Sequence, residues 1–207
     1  MQLNKITTLL ACSAIGFSGN ALASDEGRLS AGVEGGYAFV DIGAPATAQR
    51  LANLSGSTVT YTYDKADLYS RIFMGYDITE QMTAEVGYFA SANLDATYRI
   101  SGASATEAYS AKGLDFSIIY KPAESGFFGR IGMHSSEISG AASITIGGTT
   151  YAAQASQSGT GYLLGGGYEA AMGGGLAWRA NFTYLDSLGG LSGADATLYS
   201  ISILKRF

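Results

Sequence analysis

Apolar and polar residues alternate one by one along eight stretches of the chain, which is the pattern of a β-strand with one apolar and one polar face. The last stretch shows this most clearly, since Tyr199, Ile201, Ile203 and Phe207 share one face and Ser200, Ser202 and Arg206 share the other. The eight stretches span residues 28–41, 66–76, 83–91, 112–121, 127–137, 160–170, 176–184 and 197–207. We therefore predict an all-β, eight-stranded antiparallel up-and-down transmembrane β-barrel.

The connections between the predicted strands alternate in length. Those after the second, fourth and sixth strands take about four or five residues, whereas the others are longer and rich in Ala, Ser, Gly and Thr. Bacterial outer-membrane barrels have short periplasmic turns and long external loops. We therefore expect this barrel to lie in the bacterial outer membrane, with both termini periplasmic and the long loops extracellular.

Aromatic residues lie at both ends of the rows predicted to face lipid, where outer-membrane barrels carry aromatic girdles. They are Tyr76, Tyr120, Phe127, Tyr168 and Phe207 at one end, and Phe39, Tyr88, Tyr162, Tyr184 and Tyr199 at the other. The alternative, a soluble all-β sandwich, accounts for neither these rings nor the alternating loop lengths.

Two of the long loops carry strand patterns of their own. Residues 143–146 and 149–151 flank Gly147-Gly148, which predicts a hairpin with a two-glycine turn. Residues 58–63 also alternate and are predicted to extend the second strand above the membrane. A sheet is therefore expected to project from the barrel into the medium.

Composition supports a membrane strand protein. The chain is 47% hydrophobic, 12% aromatic and 14% charged, with 29 glycines and only 2 prolines. No run of about 20 apolar residues, the length of a membrane-spanning helix, follows residue 24. A barrel accommodates such a chain because it shows apolar residues to lipid and polar residues to the lumen. The formal net charge of −5 argues against a nucleic-acid partner.

The first 23 residues read as a cleaved secretory signal peptide, with Lys5 before an apolar segment and small residues before Ser24. Residues 24–207 are then the barrel domain. A lipoprotein cleaved before Cys12 is the alternative, but it would leave an apolar segment shorter than the roughly seven residues a signal needs. Removal of the signal also removes Cys12, the one cysteine.

One charged residue from each of the first seven strands points into the predicted lumen. The set is Glu34, Arg71, Glu85, Asp115, Arg130, Glu169 and Arg179. Eight strands enclose a lumen only about wide enough for side chains, and buried charges need partners. We therefore predict an ion-pair network that plugs the lumen. The alternative is that these groups line a narrow path for ions or small solutes, as in a minimal porin.

The segment Gly113–Pro122, followed by Phe127–His134, resembles the strand, turn and strand of the OmpA-like transmembrane domain family. The final strand, through Tyr199, Ile201, Ile203 and Phe207, resembles the insertion signal of outer-membrane barrels. The family resemblance implies an eight-stranded barrel with a charged, plugged interior. Because the chain stops at Phe207, the peptidoglycan-binding domain found in some members is not expected.

Signs of catalysis are sparse. His134 is the only histidine, and His134-x-Ser136 beside Glu137 weakly resembles the His-x-Ser arrangement of outer-membrane lipid A deacylases. A serine nucleophile needs a base within hydrogen-bond reach, but strand parity points this face into the lumen, away from lipid A. We therefore expect no enzyme activity, no catalytic residues, no cofactor and no metal site.

The expected role is structural and surface-interacting, of adhesin or evasion type. The expected partners are outer-membrane lipid and lipopolysaccharide, the barrel assembly machinery through the C-terminal strand, and an extracellular protein or surface ligand through the long loops. The suspected binding edge lies at residues 144–151.

Overall fold

A computed structural model describes residues 29–40, 44–123 and 125–207. The predicted signal peptide, residues 1–23, lies outside the described residues. Within the described part, the elements in chain order are β1 (Leu29–Val40), α1 (Ala44–Ser55), β2 (Thr60–Tyr63), β3 (Ala66–Asp77), β4 (Met82–Ser91), β5 (Leu94–Ile100), β6 (Ala103–Tyr120), β7 (Phe127–Ile146), β8 (Thr149–Gly173), β9 (Leu176–Leu185), a 3-10 turn (Leu188–Gly190) and β10 (Ala196–Arg206).

Eight of these strands close into a ring. Each predicted strand corresponds to one member, in the order β1, β3, β4, β6, β7, β8, β9 and β10, and every neighbouring pair is antiparallel. The ring closes where β10 pairs with β1, with Ile203 opposite Val33 and Ser202 opposite Glu34. The predicted eight-stranded antiparallel barrel is confirmed.

The alternation read from the sequence sets which side chains leave the barrel. On β10, Tyr199, Ile201 and Ile203 are at least half exposed, whereas Ser200 and Ser202 between them are buried. This inversion of the soluble pattern is expected when the surrounding solvent is lipid. Of the ten aromatic residues assigned to the two girdles, nine are exposed and Tyr184 is half-buried.

The two ends of the barrel differ. At the terminal end, where Leu29 and Phe207 lie, Gly173, Gly174 and Gly175 all have positive φ and form the tight turn between β8 and β9. At the opposite loop end, β7 and β8 continue far beyond the ring and meet at Gly147 and Gly148. These two glycines have φ of 57° and 85°, as a type I′ hairpin turn requires. The predicted hairpin is confirmed.

A five-stranded sheet extends the barrel at its loop end, in the order β2, β5, β6, β7 and β8. We call it the extension. The prediction that residues 58–63 extend the second strand is confirmed for Thr60–Tyr63, because β2 leads into β3 and pairs with β5 in nearly the register in which β3 pairs with β4. β4 and β5 pair with successive parts of β6, so β2 and β5 continue β3 and β4 above the ring.

Helix α1 was not predicted. It packs Ala44 and Ala48 against Ala96 and Tyr98 of β5. The Tyr98 hydroxyl donates to a Glu107 carboxylate oxygen at 3.2 Å. Burial, with the Glu107 charge adding to it, raises the pKa of Tyr98 to about 12. Within the described residues, no helix combines the length and apolar character needed to cross a membrane.

Candidate functional site

The luminal charges predicted from the sequence lie together in the middle of the barrel. Glu34, Arg71, Glu85, Asp115, Arg130 and Arg179 are all buried. Glu169, nearer the terminal end, keeps 9% of its side chain exposed. Each occupies an inward position on a different ring strand, as the pleat requires once one face is turned to lipid.

Arg71 is the centre of the cluster. Its Nε and Nη2 donate to the two oxygens of Asp115, both at 2.8 Å, in the bidentate geometry that makes arginine–carboxylate pairs strong. Its Nη1 lies 3.3 Å from Glu34 and 3.3 Å from Glu85. One guanidinium therefore serves three carboxylates.

The other two arginines extend the cluster in both directions. Arg130 lies 2.7 Å from Asp115 and donates to the Ser117 hydroxyl at 2.9 Å. Arg179 contacts Glu85 and lies 2.6 Å from Glu169. Asp115 and Glu85 each bridge two arginines, so the seven predicted residues form one connected network.

Sequence reasoning missed the terminal end of this network. Lys121 lies 3.0 Å and Arg206 2.6 Å from Glu169, and Arg206 also lies 4.0 Å from Asp77. With these three, the described network holds five acids and five bases. The luminal parity of Arg206 was the available signal, whereas Lys121 and Asp77 lie at strand ends, where parity no longer indicates direction.

Apolar layers lie on both sides of the charges. Toward the terminal end, Phe73 packs with Ala177 and Leu204. The Arg71 guanidinium lies 4.7 Å from the Phe73 ring centre, a cation–π distance. Toward the loop end, a second cluster includes Tyr69, Phe89, Leu163, Leu185, Leu188 and Leu198. Side chains therefore occupy the lumen at three successive levels.

The 3-10 turn covers the lumen at its loop end. Leu188 is buried in the upper apolar layer, and the Gly189 N–H donates to the Ser136 hydroxyl at 2.9 Å. Gly189 has a φ of 63°, and a Cβ there would lie 2.9 Å from the Gln157 carbonyl oxygen. Only glycine fits this approach of the turn to β8.

His134 and Ser136 share the luminal face, as predicted, but they are engaged with different groups. His134 Nε2 lies 2.8 Å from the Asp186 carbonyl oxygen, and the ring packs edge-on against Phe89. Ser136 accepts from the Gly189 N–H instead of meeting a histidine nitrogen. This arrangement leaves the serine without the hydrogen-bonded base that a nucleophile needs.

The upper half of β8 is an edge of the extension. β7 pairs with β8 over its whole upper half, whereas β9 pairs with β8 only from Leu163 downward. Among the described residues, Thr149–Ser158 therefore has a strand on one side only. The suspected edge at residues 144–151 is corrected, because Ile144–Ile146 pairs with both β6 and β8 and is interior.

The strand geometry shows which backbone N–H and C=O groups of β8 point away from β7. Tyr162 accepts from the Asp186 N–H at 2.9 Å on the β9 side. The register between β7 and β8 has no break, so alternate residues keep the same direction. The backbone N–H and C=O groups of Thr150, Ala152, Gln154 and Ser156 therefore point to the open side.

The residues of the predicted insertion signal lie on the outward face of β10. Tyr199, Ile201, Ile203 and Phe207 are exposed, and the Phe207 N–H donates to the Leu29 carbonyl oxygen at 2.9 Å. The C-terminal strand thus forms the closing seam of the ring. Its recognition during assembly stays a prediction.

Comparison with known proteins gives one family. The sequence model of the OmpA-like transmembrane domain matches residues 32–205. No curated protein matches the chain. Similar solved structures include Neisserial surface protein A (14% identity, 86% of this chain and 97% of that chain, TM-score 0.41). Ail of Yersinia pestis is also similar, with 12% identity, coverage of 88% of this chain and 100% of that chain, and a TM-score of 0.44. OprG of Pseudomonas aeruginosa has 14% identity, coverage of 88% of this chain and 97% of that chain, and a TM-score of 0.43.

Proposed function

The chain belongs to the OmpA-like transmembrane domain family, and on this premise we propose that it is a structural and surface-interacting protein of adhesin or evasion type. It is a bacterial outer-membrane β-barrel. The observation that carries the proposal is the extension with its open β8 edge, standing above a lumen filled with side chains. In this proposal the extension faces the medium and both termini face the periplasm.

The filled lumen favours a surface role over transport. Arg71 and Glu85 at the centre of the network are each exposed by 2% or less. Moving them aside to admit a solute would separate charges that are buried and paired, which costs several kcal/mol per unpaired ion. The apolar layers on both sides add a second barrier to ions.

The open β8 edge supports binding by strand addition. A partner strand could bond to outward N–H and C=O groups over residues 150–156, a mode in which backbone bonds give affinity and side-chain pockets give specificity. The adjoining hairpin supplies contact area, since Ile146 is 52% and Tyr151 61% exposed. The partner in this proposal is an extracellular protein that offers an extended segment.

Two further partners follow from the barrel surface. The outward apolar belt between the aromatic rings would contact outer-membrane lipid and, in the outer leaflet, lipopolysaccharide. The barrel assembly machinery would bind the last strand through Tyr199, Ile201, Ile203 and Phe207. These residues lie on the outward face of β10, so they would be accessible before the ring closes.

Proline substitutions on β8 test strand addition. In Gln154→Pro, the lost N–H points to the open side, so the β7 ladder is kept while the edge loses a donor and gains a ring that blocks a neighbour. We expect adhesion of bacteria displaying this variant to cultured epithelial cells to fall at least fivefold. Unboiled gel mobility should stay that of the folded barrel.

The matched control is Gln154→Thr, which changes the same side chain but keeps the N–H, and it should adhere like the unchanged protein. Equal adhesion of Gln154→Pro and Gln154→Thr would contradict strand addition at this edge. Such a result would not decide the surface role itself, which removal of the whole hairpin tests.

Planar-bilayer recording tests the alternative function, a minimal porin. We expect no steady channels from the purified barrel, because three layers of side chains occupy the lumen. Steady channels that disappear when Arg71 or Arg130 is replaced would support the porin instead. Lipid A deacylation is less well supported, since His134 and Ser136 bond to backbone groups within the lumen.

A further inference from the structure

A cavity of about 360 Å³ lies at the loop end of the barrel, above the upper apolar layer. Its walls come from five separate parts of the chain: the end of β1, the turn between β4 and β5, the middle of β6, β7, and the segment between β9 and β10. The side chains that shape it are Val40, Leu94, Tyr109, Ile138, Leu188 and Leu191. It lies outside the ion-pair network and outside the β8 edge.

The walls have the chemistry of a site for an apolar molecule. Among the described lining residues none is charged, and the polar side chains are the hydroxyls of Tyr109, Ser91, Ser110 and Ser192. Ligand pockets of roughly 300–1,000 Å³ with mostly apolar walls and a few polar groups are typical for small molecules. An apolar cavity of about 150 Å³ already admits benzene, so this one has room for one or two rings.

The cavity is closed below, and a hydrogen bond bridges its wall toward the membrane. Leu188 and Leu94, which form part of its walls, are buried at 3% and 4% exposure. Phe89 and Leu198 continue the apolar layer under Leu188. On the membrane side, the β4–β6 ladder ends at Ala90 and the β5–β6 ladder begins at Leu94. The Ala111 N–H donates to the Ser91 hydroxyl at 2.9 Å and bridges this break. The exposed residues of the lining, Leu191, Ser192 and Gly193, lie at the loop end.

We infer that this cavity binds one neutral, mostly apolar small molecule of one or two rings, which enters from the loop end and does not pass through the barrel. The occupant is a free molecule and not a lipid tail, because the opening faces the loop end and the seam between β4 and β6 is hydrogen-bonded. A carboxylate is excluded by the lack of a charged partner among the described lining residues.

Toluene and benzoate test this inference on the whole barrel in lipid nanodiscs. Amide shifts of ¹⁵N-labelled protein would be followed by NMR during titration. We expect toluene to shift the amides of Ala111, Leu188 and Ala194 saturably, and benzoate of nearly equal size to bind at least tenfold more weakly. Toluene shifts confined to outward residues such as Leu114 would overturn the proposal.

Filling variants locate the site. Ala111→Phe and Ala194→Phe place a ring in the cavity from opposite walls, and each should weaken toluene binding at least tenfold. Two independent variants keep the test valid if one fails to fold, as judged by unboiled gel mobility. Ala141→Phe, at an exposed position of β7 outside the cavity, should bind toluene unchanged. Equal affinities in all three variants would contradict the assignment.

Lipid tails are distinguished by a paramagnetic label on the acyl chain of the nanodisc lipid. If a free molecule is the occupant, the label should broaden amides of outward residues and spare Leu188 and Ala194. Broadening of these two amides, reversed in Ala194→Phe, would show that an acyl chain fills the cavity and would overturn the proposal.

Discussion

Arg71→Met is expected to lower the free energy of unfolding by about 3–5 kcal/mol, the usual cost of removing one partner from a buried ion-pair group. Methionine keeps much of the volume but removes every donor to Glu34, Glu85 and Asp115. Asp115 retains Arg130 and Glu85 retains Arg179. Among the described residues, Glu34 retains only the Ser200 hydroxyl as a donor, so its charge is the least compensated.

Urea titration in lipid vesicles measures this effect, with Trp178, the one tryptophan, as the fluorescent reporter. The matched control is Arg99→Met on β5, which removes an exposed arginine in the extension and should change the free energy by no more than about 0.5 kcal/mol. Arg71→Lys should fall between the two, because lysine keeps the charge but lacks the planar fork that binds Asp115 at two points.

A second substitution identifies the cause. In Arg71→Met with Glu34→Gln, a neutral amide replaces the stranded carboxylate. The double variant should therefore regain about 1 kcal/mol or more over Arg71→Met alone, within the range of coupling between contacting residues. A loss below about 1 kcal/mol in Arg71→Met would show that the network does not stabilise the barrel. A full loss with no recovery in the double variant would show that the stranded Glu34 charge is not its cause.

Strand count, luminal face and hairpin turn were all predictable because each depends on local rules. A pleat alternates faces at every residue, so the inward positions of Glu34 and Arg179 follow once one apolar face is known. Two adjacent glycines between alternating strands specify a type I′ turn at residues 147 and 148. The seven luminal charges were found by the same parity count.

Pairings across the network could not be read in this way. Parity places Asp115 inside the barrel, but whether it meets Arg71, Arg130 or Arg179 depends on stagger around the ring, which one sequence does not specify. Helix α1 was missed because it is short and gains its stability from packing Ala44 and Ala48 on β5, a tertiary effect that outweighs a weak local pattern. Residues 103–111 of β6 and 138–142 of β7 were missed because small residues such as Ala105 and Ala141 give almost no hydrophobic contrast.

Replacing residues 139–156 by Asn-Gly is expected to abolish adhesion to epithelial cells, to less than a tenth of that of the unchanged protein, while the barrel stays folded. The design is set by the register, since Ile138 is paired with Gln157 in the ladder. Gln157 has the same parity as Thr149, which flanks the natural two-residue turn, so Asn-Gly can close the shortened hairpin in the same geometry. Both the open β8 edge and the exposed side chains of the hairpin are removed together.

Barrel stability should not change, because the excised residues contribute to neither the ion-pair network nor the two luminal apolar layers. The urea midpoint reported by Trp178 and the unboiled gel mobility should therefore match the unchanged protein. A control with Gly147-Gly148 replaced by Asn-Gly keeps the full hairpin and should adhere normally. If the shortened, folded barrel adheres as well as this control, the part of the extension formed by β7 and β8 is not the binding surface, and the proposed surface role loses its structural basis.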